Sequence, residues 1–322
     1  MDNEVLISII IPFYNVANYI RECIDSLSRQ TFKKFEVIFV DDCGQDNSET
    51  IVKDHINEIG CVSAKIVRRN QNGGLSAARN TGIHNSSGQY LLFLDSDDFL
   101  SDNAVELFYK EIVDAKPDVV IGNYYRFPSG KEGKNRIQSR ELIGNEIKRA
   151  YYNNKILVTV WNKLVRRDFL LDNNLYNEEG IIHEDLLWSF LTFSSARRIA
   201  FIDNITYYYR ERDNSIMTAT FGEKNINSLI KINNMIHTYS STKHDLQAAT
   251  YAEKKLLEFT LRIFAKGDLN KRDFTAILRR MDRRLVNSSA AWINLLIGKS
   301  PWIIKRFILA VLLYTKFSYC KE

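Results

Sequence analysis

Four prolines and fourteen glycines in 322 residues leave no material for long disordered linkers. The four cysteines, Cys23, Cys43, Cys61 and Cys320, are scattered without a Cys-x-x-Cys pair. That excludes a zinc ribbon or a disulfide framework and fits a reducing compartment. No apolar run reaches the roughly 18–20 residues of a membrane span; Lys299, Lys305, Arg306 and Lys316 break the apolar stretches near the C-terminus. The start, Met1-Asp-Asn-Glu-Val5, is acidic and leads directly into Leu6–Ile11. A secretory leader requires a basic start and a longer apolar core, so export is not expected. Neither G-x-G-x-x-G nor G-x-x-x-x-G-K-[ST] occurs, and no G-x-S-x-G surrounds a serine. The histidines at 55, 84, 183, 237 and 244 have no metal-ligand spacing.

What is present is a run of βα units. The apolar stretch Val5–Ile11 predicts a buried strand, and Tyr19, Ile20, Cys23, Ile24 and Leu27 recur at helical spacing. Further strands are expected at Phe35–Val40, Ala64–Val67 and Tyr90–Leu94, with helices around Ile51–Ile56, Leu75–Ile83 and Ala104–Ile112. Such alternation implies a parallel sheet covered on both faces. Ligands of these sheets bind outside the carboxyl ends of the strands. Those ends here carry Pro12–Asn15, Asp41–Asp42, Arg68–Asn72 and Asp95–Asp98.

Asp95-Ser-Asp97-Asp98 is the most informative of these ends. Like charges so close raise each other's pKa unless something positive sits among them. A divalent cation with hard oxygen ligands, Mg²⁺ or Mn²⁺, is one reading. The other is a surface turn in which Asp98 or Asp102 caps the next helix.

From Val119 onward the pattern changes. Val119–Phe127 with Gly130 reads as a strand and hairpin, and Trp161–Phe169 as a strand running into a helix. Ile182–Phe190 opens a helix with Glu184 and Asp185 in its first turn, and Ile199–Tyr209 is a Tyr-rich strand. Helices follow from about Gly222, including a long charged one around Ala248–Phe264. From Arg262 to Glu322, thirteen Lys/Arg stand against four Asp/Glu, a net of +9, on a chain of net +5. A basic tail rich in aromatics suggests an anionic partner, a membrane surface ahead of nucleic acid. Ser300-Pro301-Trp302 onward reads as a helix with Lys305 and Lys316 on one line, and with Trp292, Trp302 and Tyr314 as interfacial aromatics. A core helix packed on the rest of the protein is the alternative.

Five stretches together, Ser8–Asn15, Val40–Asp42, Asn72–Gly82, Asp95–Asp98 and Glu184–Trp188, resemble in order and spacing the motif series of family 2 glycosyltransferases. The resemblance covers about residues 5–215. It implies a GT-A fold: a Rossmann-like mixed sheet with helices on both faces, plus a C-terminal helical appendage. The implied domains are a catalytic one over 1–221, with a nucleotide-sugar half to about 118 and an acceptor half from 119, and an appendage over 222–322.

The resemblance also implies roles. Pro12, Tyr14 and Asn15 would line the nucleotide, with Tyr14 stacking on the base and Asp42 bonding the uracil N–H. Asn72 and Arg79 would donate to the base and to the loop around the diphosphate. Asp95 would sit by the ribose and share the metal, Mn²⁺ or Mg²⁺, with Asp97. Glu184 and Asp185 would face the acceptor, with Asp185 as general base. Arg210, Arg212 and Ser215 would lie near the diphosphate, and Trp161 and Lys163 on the acceptor side. The implied reaction is inverting transfer from a UDP-sugar to a polyprenyl-diphosphate-linked saccharide of bacterial O-antigen or capsule. The expected location is the cytoplasm, peripheral on the inner face of the cell membrane. A wall-polymer (teichoic-acid) transferase and a catalytically inactive GT-A binding module are the alternatives.

Overall fold

The computed structural model describes residues 5–133, 137, 139–212 and 223–266. Ser215 and the basic helix expected from Pro301, with Trp292, Trp302, Lys305, Tyr314 and Lys316, lie outside the described residues. The chain forms two compact units, Met1–Ser215 and Ile216–Glu322.

The first unit alternates β1 (Ile7–Phe13), α1 (Ile20–Ser28), β2 (Phe35–Asp41), α2 (Ser48–His55), β3 (Ser63–Arg68), α3 (Leu75–His84) and β4 (Tyr90–Phe93). It continues with β5 (Phe99–Leu100), α4 (Ala104–Val113), β6 (Val119–Phe127), β7 (Lys131–Gly133), β8 (Glu141–Ile143) and α5 (Asn145–Tyr152). It closes with β9 (Lys163–Arg166), α6 (Arg167–Asp172), α7 (Glu184–Ser195) and β10 (Arg198–Arg210). All ten strands join one sheet, ordered β3-β2-β1-β4-β9-β6-β10-β5, with β7 on β6 and β8 on β10. The first four strands are mutually parallel, and β9 runs antiparallel to β4 and β6. The parallel sheet expected from the first hundred residues is thus one half of a mixed sheet.

Period-2 alternation explains how the half-sheet is covered. Ile7, Ile9 and Ile11 share a core with Ile20, Ile24 and Leu27 of α1 and Phe108 of α4. Ile38, Val40 and Ala78 form a smaller core on the opposite face, beneath α3. Helix α3 sits close: a Cβ on its Gly82 would collide with Cγ2 of Ile10. Because the chain leaves β1 toward β2 and β3 and returns to β4 on the other side, the sheet has a switch point beside β1. A crevice forms at such a point. Pro12 lies just past the β4 pairing, which ends at Ile10, so its missing N–H interrupts no bond on that side.

Three elements were not expected from the sequence. Strand β5 has two residues, α5 has a short apolar face of Ile147, Ala150 and Tyr151, and β8 is an edge piece. All are too short for periodicity to register.

The second unit contains α8 (Glu223–Lys243) and α9 (Leu246–Lys266). Asp245 starts α9 by accepting from the Ala248 N–H at 3.1 Å, and His237 pairs with buried Glu253 at 2.6 Å. Among the described residues no helix is long and apolar enough to cross a membrane.

The Gly82 contact yields a prediction. Gly82→Ala should lower stability by about 1–3 kcal/mol through overpacking against Ile10. Urea denaturation measures this; an unchanged midpoint would show that α3 has room to move.

Candidate active site

The first cluster lies at the ends of β1 and β2. Tyr14 leaves β1 with its ring 46% exposed. Asn15 follows at φ +52°, and its Oδ1 accepts from the Gln45 N–H at 2.7 Å. Buried Asp42 accepts from the Gly73 N–H at 3.0 Å, the Gly74 N–H at 2.7 Å and the Arg69 guanidinium. Asn72 donates to the Asp42 carbonyl at 3.1 Å. Gly74 adopts φ +83°, a conformation that favours glycine, and a Cβ on Gly73 would displace the tip of the Arg69 guanidinium. Asp42 and Asn72, expected to contact the base, are thus engaged in fixing the Gly-rich loop to the end of β2. Arg69, which completes that tether, was not singled out from the sequence. Nothing in the pair Arg68-Arg69 separates it from its neighbour, which pairs with Asp41 and Glu49 instead.

The second cluster is the acidic motif after β4. Its three carboxylates have three different fates. Asp98 is buried, accepts from the Tyr207 hydroxyl at 2.6 Å and from the Arg210 N–H at 2.7 Å, and is neither a helix cap nor open to a ligand. Burial and the two neighbouring acids push its pKa well up. Asp102 is not a cap either; it pairs with Arg29 at 2.9 Å. Asp97 is partly exposed and pairs with Arg212 at 2.8 Å. Burial, then Asp95, raises its pKa against the pull of Arg212 and Arg210. Among the described residues no group of three or more His, Cys, Asp or Glu side chains is placed to hold a metal ion. The acidic motif therefore offers two open carboxylates, Asp95 and Asp97, and not three.

Arg210, expected near the diphosphate, is held in place by the protein itself. Its Nε donates to the Asp97 carbonyl at 2.9 Å, it pairs with Glu22, and its guanidinium stacks over Tyr19, Phe99 and Phe127 at 5.2–5.5 Å. Arg212 also lies over Tyr19, at 5.2 Å.

Arg79 connects the motif to the acceptor half. The guanidinium is 3% exposed and reaches Asp95 and Glu184, each at 2.9 Å. The sequence left two readings of it, a donor toward the nucleotide and a partner of a strand-end aspartate; here it pairs with Asp95, just past β4, and with Glu184 at the start of α7. Asp185 follows Glu184 in the first turn of α7. One oxygen accepts the Leu186 N–H at 2.9 Å, and the side chain remains partly accessible. Burial, then Glu184, pushes its pKa up to about 7, opposed by Arg79, the Leu186 N–H and Lys163. Lys163, at the start of β9, is 1% exposed, and burial takes its pKa down to about 7. Trp161 stacks on Tyr207 and Tyr209 at 4.6 and 5.5 Å.

The structure thus brings Asp95, Asp97, Arg79, Glu184, Asp185, Arg210 and Arg212 together at the carboxyl edge of the half-sheet. Tyr14, Asn15, Asp42 and Asn72 form a neighbouring group on the same edge. A nucleotide-type parallel half-sheet extended by a mixed half, with acids at the junction, is the GT-A architecture. The chain belongs to glycosyl transferase family 2, whose family model matches residues 8–172.

Similar proteins include the glycosyltransferase GlyA of Streptococcus pneumoniae, 30% identical over 87% of this chain and 41% of that protein. The uncharacterized glycosyltransferase EpsJ of Bacillus subtilis is 35% identical over 66% of this chain and 62% of its own length. The chain therefore spans less than two thirds of either relative. The crystal structure of S. aureus TarS 1-349 in complex with UDP-GlcNAc superimposes with a TM-score of 0.65 at 24% identity, covering 90% of this chain and 79% of TarS 1-349. TarS is a poly(ribitol-phosphate) β-N-acetylglucosaminyltransferase.

The Arg79 bridge is testable. Arg79→Met should destabilise the protein by about 3 kcal/mol, since it leaves two largely buried carboxylates unpaired. Denaturant titration reads the loss, and a variant as stable as wild type would mean that the carboxylates find other partners.

Proposed function

We propose that this protein transfers a hexose or N-acetylhexosamine from a UDP-sugar to a lipid-linked saccharide of a bacterial surface polysaccharide, inverting the anomeric carbon. The observation that carries the reading is Asp185. Its carboxyl is partly accessible, has one oxygen without a partner among the described residues, and titrates near neutrality at the edge that holds Asp95 and Asp97. A general base works best with a pKa near the working pH. Asp185 accepts the proton of the acceptor hydroxyl as that oxygen attacks the anomeric carbon. The bond to the UDP oxygen breaks in the same displacement, so the centre inverts.

Tyr14 supplies an exposed ring for stacking on the base. The complex of TarS with UDP-GlcNAc supports a UDP-sugar as donor. Asp97 and Asp95 fit a hard divalent ion, Mg²⁺ or Mn²⁺. Both are partly exposed oxygen donors, and burial beside one another leaves negative charge that raises Asp97. When bound, such an ion neutralises charge growing on the diphosphate leaving group. Arg212, which pairs with Asp97 at 2.8 Å, would also be placed to pair with the diphosphate. The basic stretch 262–322 would hold the protein on the anionic inner face of the cell membrane, beside a polyprenyl-diphosphate-linked acceptor.

A second reading keeps the chemistry and changes the acceptor to a wall polymer. It is favoured by TarS and by the similarity to the minor teichoic acid biosynthesis protein GgaB of B. subtilis, 29% identical over 68% of this chain. An inactive binding module is disfavoured by the intact Asp95, Asp97 and Asp185.

Two outcomes are expected. Asp97→Asn, or chelation of the wild type, should remove most turnover while UDP-sugar hydrolysis in Mn²⁺ proceeds in the untreated enzyme; full activity in excess EDTA would reject the metal. Asp185→Asn should cut turnover by about 10²-fold or more with UDP binding intact. Because Asp185 accepts a proton only when ionised, wild-type kcat/KM should rise with pH through about 7. A profile flat from pH 5 to 9, or a product shown by NMR to retain its anomeric configuration, would reject this mechanism.

A further inference from the structure

Tyr19 places an aromatic ring against the end of β10, a contact that the mechanism above does not use. In the sequence it counts among the apolar residues at helical spacing that define α1. Ile20, Cys23 and Ile24 of that series are fully buried, whereas Tyr19, the residue before the helix, stays half-buried. The guanidinium groups of Arg210 and Arg212 both lie against its ring, at 5.5 and 5.2 Å from the centroid.

The two arginines are held very differently. Arg210 is the last residue of β10. Its N–H donates to Asp98 at 2.7 Å and its Nε to the Asp97 carbonyl at 2.9 Å. Its guanidinium pairs with Glu22 and also lies over Phe99 and Phe127. So many partners make it an anchor. Glu211 continues the fastening: its N–H donates to the Phe127 carbonyl at 2.7 Å, and its carboxylate pairs with Arg126 at 3.2 Å. Arg212 comes next, and its side chain is 29% exposed against 14% for Arg210. Among the described residues its guanidinium has two partners, the Asp97 carboxylate at 2.8 Å and the Tyr19 ring.

Asp97 is the carboxylate read above as a ligand of a divalent ion. Whatever else neutralises Asp97 weakens its hold on Arg212, and the Tyr19 ring is then the contact that keeps the guanidinium at this edge. A ring face attracts a guanidinium through its quadrupole. Unlike a second carboxylate, it does so without using up the N–H groups, which stay available to an anion. Immobilising an arginine only at the moment of binding weakens a complex by about two- to tenfold.

We propose that Tyr19 is a positioning residue for Arg212: its ring holds that guanidinium beside the acidic motif with N–H groups free for the diphosphate of the nucleotide-sugar. The inference rests on the reading of the site as one for a nucleoside-diphosphate sugar. It adds the means by which a side chain just beyond the end of β10 is kept ready. Glu22 has a derived part, since by pairing with Arg210 it fixes the strand end from which Arg212 reaches.

Calorimetric titration with UDP and with uridine, Mg²⁺ present throughout, tests this without turnover. Residue 19 is replaced by phenylalanine, then by phenylalanines with successively more ring fluorines. These drain negative charge from the ring face while nearly keeping its shape. Tyr19→Phe should bind UDP as wild type does. UDP affinity should then fall stepwise with fluorination, to about fivefold below wild type, and Tyr19→Leu should reach the same floor. Uridine, which lacks the diphosphate, should bind every variant equally. In an Arg212→Gln background the fluorine series should lose its effect. Packing alone responds to shape and would leave the series flat.

UDP affinity unchanged across the fluorinated series would overturn the inference. An equal loss for uridine, or a fluorine effect that persists in Arg212→Gln, would do the same. If Tyr19→Leu does not fold, the near-isosteric fluorinated series decides by itself. Wild-type protein that binds UDP no more tightly than uridine would instead reject the nucleoside-diphosphate reading of the site, before any variant is made.

Discussion

The buried guanidinium of Arg79 is the contact on which the rest of the site depends. One of its arms holds the acid at the end of β4 and the other holds Glu184 at the start of α7. The first follows a strand of the parallel half of the sheet, and the second opens the helix that leads into β10 of the mixed half. A single planar cation thus sets the spacing between the acidic motif and the residue next in chain to the proposed base, Asp185. Glu184 raises the pKa of Asp185 and Arg79 lowers it, so the bridge also tunes the group it positions. Stability and chemistry are coupled here through the same two hydrogen bonds.

The same logic extends to Asp98, a carboxyl group removed from water that, through the Tyr207 hydroxyl and the Arg210 N–H, ties the last strand to the acidic motif. The Tyr207 hydroxyl also accepts from the Asp95 N–H at 3.2 Å, so one phenol orders both ends of the motif.

Much of this was legible in the sequence, for definite reasons. The strands β1, β2 and β4 are largely apolar, and the carboxyl ends of parallel strands must share an edge, so the acids could be gathered in advance. Asp185 was recognisable as the second acid of a pair opening an apolar helix. The partners of these acids were not legible. Arg79 lies 105 residues from Glu184, and Arg69 lies 27 from Asp42. No local period encodes which arginine faces a ligand and which closes an ion pair. Asp98 could not be separated from Asp97 because both sit in one turn; only the two-residue strand β5 and its pairing with Tyr207 and Tyr208 turn one inward.

Arg212 has a consequence for the life of the protein without its small-molecule partners. It supplies Asp97 with a counter-charge from within the same chain. Many small metalloproteins unfold when their ion is withdrawn, because ligand repulsion is relieved by nothing else. Here the polypeptide furnishes a substitute. Under the proposed reading, scarcity of the ion would idle the catalyst without sending it to degradation. A cell could then restore activity by resupply alone, with no new synthesis or refolding.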